Sequence, residues 1–161
     1  MFNVRQTTLS DLDSLTKLRL DLLREVGNLK DDDDALALAQ ANRQYFAAKI
    51  PSGEFVAWVA EVDGQIVAIS GLVFFERPPI ANNLSGLEGY ILNMYTVPEW
   101  RGGGLATALL KEIISFAKNA GVRRLWLHAT PAGKPLYEKA GFIPRPAAAR
   151  SSATAEMELV W

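Results

Sequence analysis

Cysteine is absent from the 161 residues of the sequence. Without thiol groups the chain can form no disulfide, no thiolate zinc site and no covalent cysteinyl intermediate. An excess of charge of one sign is also missing, because 17 lysines and arginines face 18 aspartates and glutamates. The formal net charge of −1 leaves no basic footprint, so we expect no nucleic-acid partner.

Long apolar runs and an export pattern are lacking as well. No apolar run reaches the roughly 18 residues that a membrane-spanning helix needs. The opening MFNVRQTTLSDLD contains neither a hydrophobic core nor a cleavage site, so we expect a cytoplasmic protein without membrane association. The aspartates at 31–34 lack the spacing and the glycine of a calcium loop, and we expect no metal.

The hydrophobic patterning predicts one mixed α/β domain over residues 1–161. A first strand, FNVRQ, precedes a helix with Ser10 as its N-cap, and a second helix ends at Pro51. Two β-rich runs flank Asp63-Gly64, a pair typical of tight hairpin turns. A strand (YILNMYTV), a helix over about 105–120, a strand (RRLWLHA), a short helix (PLYEKA) and an edge strand (EMELVW) follow.

Three consecutive glycines, Gly102–Gly104, lie between the strand YILNMYTV and the helix that follows. The first amides of a helix have no intrahelical partner, and glycine removes the side chains that would obstruct an anion there. Arg101 adds a positive charge beside this turn. The pattern therefore predicts a phosphate-bearing ligand, whereas a merely tight turn would need only one glycine.

Two common phosphate motifs do not fit this turn. A nucleotide P-loop needs Gly-Lys-Ser/Thr, which does not follow the glycines. The dinucleotide fingerprint fails because Thr107 stands where glycine or alanine belongs. A phosphate ligand of another kind is therefore expected.

Two motifs of the chain resemble those of the GNAT superfamily of N-acetyltransferases, which use acetyl-CoA. The first is Arg/Gln-x-x-Gly-x-Gly/Ala after a strand that ends near proline, here Arg101, Gly104 and Ala106 after NMYTVPEW. The second is an apolar strand followed by LYEKAGF, residues 136–142 here. The order of the predicted elements is also similar to that of the family along nearly the whole chain.

The resemblance implies a GNAT-like α+β fold, with a central mixed twisted sheet of about six to seven strands flanked by about four helices. Its two central parallel strands, ending here near Val97 and Thr130, would splay apart with the help of a β-bulge in the first. The open strand edge would then bind the pantetheine arm of acetyl-CoA as if it were another strand.

The resemblance also implies which residues bind acetyl-CoA. Amides of the glycine turn would hold the pyrophosphate, and backbone groups of the preceding strand would bind the pantetheine arm. An amide near Thr96 or Val97 would polarise the acetyl carbonyl. The residues implied are Tyr95, Thr96, Val97, Arg101, Gly102, Gly103, Gly104, Leu105, Ala106 and Thr107.

Some positions depart from the family pattern. Relatives often carry a basic residue where this chain has Gly103, which predicts a slightly weaker affinity for phosphate. Thr130 and Gly133 replace more typical groups before the short helix, where a side chain would contact the pantetheine arm.

The expected chemistry is direct attack of an amine on the thioester in a ternary complex. Tyr137 matches the general acid of the family and would protonate the departing thiolate. Glu88 is a candidate general base acting through water, and His128 titrates in a suitable range. A lone histidine in an apolar strand is nevertheless more often a hydrogen-bonded core residue. Asn93 could orient a water molecule but cannot take a proton.

The sequence thus predicts an acetyl-CoA-dependent N-acetyltransferase acting on a small-molecule or protein amine. The alternatives are a catalytically inactive CoA-binding sensor and a nucleotide-phosphate binder unrelated to CoA. In the family the acceptor site is shaped by segments that read GNLKDDDD and RPAAARSSATA here, and the acidic run suggests a cationic amine. Relatives often dimerise through their last strands, so EMELVW is a candidate homodimer contact.

Overall fold

The computed structural model of the protein describes residues 1–30, 34–145 and 154–161. The described segments contain four α-helices and seven strands, linked in places by short 3-10 turns. In chain order these are β1 (Phe2–Gln6), α1 (Leu12–Glu25), α2 (Ala35–Ser52), β2 (Phe55–Val62), β3 (Gln65–Glu76), β4 (Leu87–Thr96), α3 (Leu105–Asn119), β5 (Arg124–Ala129), α4 (Lys134–Lys139), β6 (Ile143–Pro144) and β7 (Ala155–Val160).

The strands form one mixed sheet in the order β1-β2-β3-β4-β5-β7-β6. β4 and β5 run parallel, with a register from Glu88–Arg124 to Tyr90–Trp126, whereas β7 is antiparallel to both β5 and β6. The expected mixed sheet and four flanking helices are confirmed. The prediction that the last strand lies at an edge is wrong, because the two-residue strand β6 pairs on its outer side.

Contacts divide the chain into two compact units, residues 1–71 with 93–110 and residues 72–92 with 111–161. In the first unit, α1 and α2 bury leucines against each other, among them Leu20 and Leu23, and the Phe46 and Phe55 rings pack 5.2 Å apart. The turn between β2 and β3 has a positive φ at both Asp63 and Gly64, which confirms the predicted hairpin. No helix among the described residues is long and apolar enough to cross a membrane.

The second unit packs β3 and β5 residues closely against β4. A Cβ atom at Gly89 would lie 2.7 Å from Leu125 Cδ2 and 2.9 Å from Leu72 Cδ1, so only glycine lets β4 approach these side chains without displacing them. Leu125 and Val122, which also contacts this position, are fully buried. Glycine therefore sets how closely β4 packs in this unit.

The turn before α1 is capped differently from the prediction. Thr8 is the N-cap of the 3-10 turn over Leu9–Asp11 and forms a capping box with Asp11, and Asp11, not Ser10, is the N-cap of α1 itself. The buried Asp11 carboxylate also accepts hydrogen bonds of 2.8 and 2.9 Å from the two terminal nitrogens of Arg5. These hydrogen bonds outweigh the opposing effect of burial and hold the pKa of Asp11 below its ordinary value.

Replacing Asp11 with asparagine should lower the free energy of unfolding by about 2 kcal/mol at pH 7, because charge-assisted hydrogen bonds are lost. Since the folded pKa is lowered, this stabilisation is present above the unfolded value of about 3.9 and is lost as pH falls through the folded value. Urea denaturation at pH 7 and in acid measures both effects. The control is Asp13→Asn, because the Asp13–Arg43 ion pair is exposed. Equal losses for the two variants would contradict this account.

Candidate active site

The glycine turn connects the end of β4 to α3 in the first unit. A 3-10 turn over Pro98–Trp100 precedes it, and Gly102 and Gly104 have φ angles of +81° and +84°. The backbone conformation therefore favours glycine at these two positions, whereas Gly103 has no positive φ. Two glycines of the triplet are explained by conformation alone, and the third is not.

The start of α3 presents amides with no helical partner. The Ala108 N–H donates to the Gly104 carbonyl at 3.0 Å, so the amides of 105–107 belong to the first helical turn. All three glycines are exposed, and a Cβ atom at Gly102 or Gly104 would meet nothing within 4 Å. Open space next to a helix N-terminus fits a phosphate group, because the free amides and the helix dipole both favour an anion.

Arg101 connects this turn to two other parts of the first unit. Its Nε donates to the Thr96 carbonyl at 2.9 Å, and its Nη2 donates to Glu25 at the end of α1 at 2.6 Å. The guanidinium lies over the Tyr95 ring, 5.7 Å from its centroid. Arg101 thus holds the turn against the end of β4, in addition to the phosphate-binding role predicted for it.

The backbone at the end of β4 distinguishes the two amides predicted to polarise the acetyl carbonyl. The Val97 N–H donates to the Val67 carbonyl of β3 at 2.9 Å, and the Val97 carbonyl accepts from the Trp100 N–H at 2.9 Å. Because backbone groups alternate in direction along a strand, the Thr96 amide faces the edge of β4 away from β3. Upstream in β4, Asn93 has a φ of +57°, a local irregularity of the kind that a β-bulge produces.

Tyr137 lies on α4 in the second unit and is only 6% exposed. Its ring meets Phe142 edge-on at 5.8 Å, and its Cε2 lies 3.4 Å from where a Gly133 Cβ would be. Burial, with a smaller contribution from the neighbouring Tyr90, raises the pKa of the phenol above its ordinary value. The phenol is therefore protonated at neutral pH, as a general acid must be before it donates.

Glu88, also in the second unit, is buried in an ion-pair network. Its Oε2 accepts from Arg124 Nη1 at 2.9 Å and lies 3.3 Å from Arg77 Nε. Arg124 lies at the centre of this network, with a side chain only 12% exposed. The remaining members are Arg145, Glu156 and Glu158. These contacts give Glu88 a structural role, and its use as a base stays a prediction.

His128 is exposed, so its interpretation as a core residue is wrong. Its Nδ1 lies 3.0 Å from the phenol oxygen of Tyr90 on β4. Sequence reasoning missed this pair and the Arg124 network. The sequence did carry a signal: Arg124, Trp126 and His128 alternate along β5, and this spacing places all three side chains on one face of the sheet.

The structure groups the predicted residues in two sets. The cofactor-binding residues, Tyr95–Val97 and 101–107, lie together in the first unit, and Glu88 and Tyr137 lie in the second. Among residues 1–30, 34–145 and 154–161, no group of three acidic or histidine side chains is placed to hold a metal ion. Of the two segments expected to shape the acceptor site, residues 31–33 of the first and 146–153 of the second fall outside the described residues.

The chain is similar to known acetyltransferases. Residues 14–142 match the model of the acetyltransferase (GNAT) family. The chain is 31% identical to an aminoglycoside N(6')-acetyltransferase type 1 of Stenotrophomonas maltophilia over 76% of this chain and 71% of that protein.

Solved structures are similar over almost the whole chain. A predicted acetyltransferase from Clostridium acetobutylicum, crystallised with acetyl-CoA, is 32% identical, with a TM-score of 0.79 over 94% of this chain and 95% of that one. A GCN5-related N-acetyltransferase from Ralstonia eutropha is 29% identical, with a TM-score of 0.81 over 95% and 99% of the two chains. The protein belongs to the GNAT family of acetyltransferases.

Proposed function

We propose that the protein transfers the acetyl group of acetyl-CoA to a primary amine, by direct attack within a ternary complex. The observation that carries the proposal is the exposed glycine turn at the start of α3, with helical amides open to an anion. In the Clostridium acetobutylicum relative the ligand named is acetyl-CoA, which contains a pyrophosphate of the required kind.

Binding of acetyl-CoA is assigned to the first unit. The amides of 102–107 hold the pyrophosphate, and the backbone of Tyr95–Val97 binds the pantetheine arm. Because the Val97 N–H already donates to β3, the Thr96 amide is the better candidate to polarise the acetyl carbonyl. A hydrogen bond there stabilises the negative charge that develops on this oxygen during attack.

Proton transfer to the leaving group is assigned to Tyr137. Its buried phenol keeps its proton at neutral pH and gives it to the sulfur as the carbon–sulfur bond breaks. The product thiol then leaves in its neutral form. No covalent enzyme intermediate is needed, and the chain has no cysteine to form a cysteinyl one.

The test is release of free CoA thiol from acetyl-CoA in the presence of individual amines, with the acetylated product identified by mass spectrometry. The panel should include an aminoglycoside, because one relative is named for that substrate, together with alkylamines and peptides with free amino groups. Because the chain contains no cysteine, the protein adds no thiol background. Binding of acetyl-CoA without turnover on any amine would favour the inactive CoA-binding sensor instead.

Replacing Gly103 with lysine should strengthen acetyl-CoA binding about two- to five-fold, the equivalent of one exposed ion pair. The backbone tolerates a side chain here, since a Cβ would lie 3.6 Å from the Trp100 carbonyl, an ordinary contact. Gly103→Gln, which has a side chain of similar shape without the charge, is the control. Calorimetric titration at low and high salt should show the gain for lysine alone, and only at low salt. A gain for both variants would contradict an electrostatic origin.

A further inference from the structure

One face of the sheet in the second unit carries a cluster of aromatic rings. The register pairs Tyr90 with Trp126, so the two share a face, and His128 follows two residues later on the same face of β5. The ring centroids of Tyr90 and Trp126 are 4.4 Å apart, and those of Tyr90 and His128 are 5.8 Å apart. Phe75 extends the cluster, 5.9 Å from Trp126.

This aromatic face is accessible to a dissolved molecule. His128 is exposed, Phe75 is 42% exposed, and Tyr90 and Trp126 are half-buried. An organic amine could therefore rest its apolar part on the rings while its nitrogen meets the imidazole.

Within the cluster, His128 lies near the end of β5 from which the chain leads to α4, the helix that carries the proposed general acid. β5 ends at Ala129, and the Thr130 carbonyl accepts from the amides of Gly133 and Lys134, both at 3.0 Å, as α4 begins. Tyr137 packs against Gly133, as described above. The influence of Tyr90 on the phenol of Tyr137 is consistent with this proximity.

The charged groups around His128 are paired among themselves. On β7 its cross-strand partner is Glu156, which accepts from Arg124 at 3.3 Å and from Arg145 at 3.1 Å. On β4 the titratable neighbour is Tyr90. On α4, Lys134 at the start of the helix pairs with Glu138 at 3.5 Å, Lys139 lies at the far end of the helix, and Tyr137 is buried. Tyr90 is therefore the group that holds the imidazole.

We propose that His128 is the base that takes a proton from the acceptor ammonium, and that Tyr90 positions it by fixing its tautomer. This rests on the proposed function. When Nδ1–H donates to the Tyr90 oxygen, the Nε2 lone pair is free to accept a proton.

With these roles, every proton released in the reaction is accounted for. One ammonium proton moves to Nε2, which leaves a neutral amine and an imidazolium that later loses its proton to water. The amine nitrogen attacks the acetyl carbon, the carbon–nitrogen bond forms, and the carbon–sulfur bond breaks. The Tyr137 proton moves to sulfur, and a second proton from nitrogen returns through solvent to the phenolate.

The tautomer can be measured without knowing the acceptor. His128 is the one histidine of the chain, so its ring ¹⁵N resonances need no assignment. We expect a neutral ring with Nδ1 protonated in the wild type, and a shift toward the Nε2-protonated form in Tyr90→Phe. A wild-type ring protonated at Nε2 would overturn the proposal, whatever the activity.

The catalytic step is tested with two aromatic amines, benzylamine, which is an ammonium ion at pH 7, and aniline, which is already neutral. His128→Gln should lower kcat/KM for benzylamine about 100-fold and change that for aniline less than about twofold, because only benzylamine must lose a proton first. Tyr90→Phe should also lower kcat/KM for benzylamine, but by a smaller factor.

The possible outcomes separate the two proposals. Equal losses on both amines, or no loss on either, would overturn the role of His128 and leave the acetyltransferase intact. A wild-type protein that binds acetyl-CoA but acetylates neither of these amines nor any amine of the panel would remove both proposals. Because His128 is exposed, its substitution should leave the thermal unfolding temperature unchanged.

Discussion

Replacing Tyr137 with phenylalanine should lower kcat about 100- to 1,000-fold while the Kd for acetyl-CoA stays nearly unchanged. The change removes one hydroxyl from a ring that is 94% buried and keeps its packing against Phe142. Without the phenol, the thiolate must leave unprotonated or take its proton from water. Steady-state kinetics for turnover and calorimetry for binding measure the two quantities separately.

A matched control is Tyr45→Phe, which makes the same change on a tyrosine of α2 in the first unit. Tyr45 packs edge-on against Phe46 and Phe55, and 41% of it is exposed. This variant should keep full turnover. If Tyr137→Phe retained wild-type kcat, or if both variants lost it alike, Tyr137 would not be the proton donor.

The raised pKa of Tyr137 also predicts how stability depends on alkaline pH. Because burial keeps the folded phenol neutral, its contribution to stability is complete below the unfolded pKa of about 10 and is lost as pH rises toward the folded value. Tyr137→Phe should therefore show a flatter decline of unfolding free energy above that pH than the wild type.

Replacing Gly104 with alanine should weaken acetyl-CoA binding about tenfold or more, because a methyl group would project into the space that we propose for the pyrophosphate. Gly104 has a φ of +84°, so alanine also costs about 1 kcal/mol of stability through backbone strain. Calorimetric titration gives the affinity, and urea denaturation gives the stability.

Gly53→Ala separates the two effects of that substitution. Gly53 ends α2 with a φ of +74°, and a Cβ there would likewise meet nothing within 4 Å. Gly53→Ala should lower the free energy of unfolding by a similar amount and keep full affinity for acetyl-CoA. An equal loss of affinity in both variants would show that strain, not blocked access, is responsible.

Structural features that depend on residues close together in the sequence were largely predictable from it. The hairpin at Asp63-Gly64 and the strand, glycine turn and helix around 97–110 follow from local φ preferences and apolar spacing. The parallel pairing of β4 with β5 follows from the helix that connects them. The assignment of the whole chain to one domain stays a prediction.

Structural features that depend on residues far apart in the sequence could not be predicted from it. Arg101 meets Glu25, 76 positions away, and Asp11 is held by Arg5 of β1 rather than by the local cap alone. His128 lies in an apolar run, but its exposure depends on what covers that face of the sheet. The alternation along β5 places His128 on the same face as Arg124 and Trp126, but it does not show whether another element covers that face.

The position of β7 limits how two copies could associate. Among the described strands, β5 pairs along the whole of β7 on one side, and β6 pairs with Met157 and Glu158 on the other. The outer strand at that end has two residues, one of them Pro144, which has no N–H to offer a further strand. A pair of subunits built by continuing the sheet would join more readily through the five-residue strand Phe2–Gln6 at the opposite edge of the sheet than through this short strand.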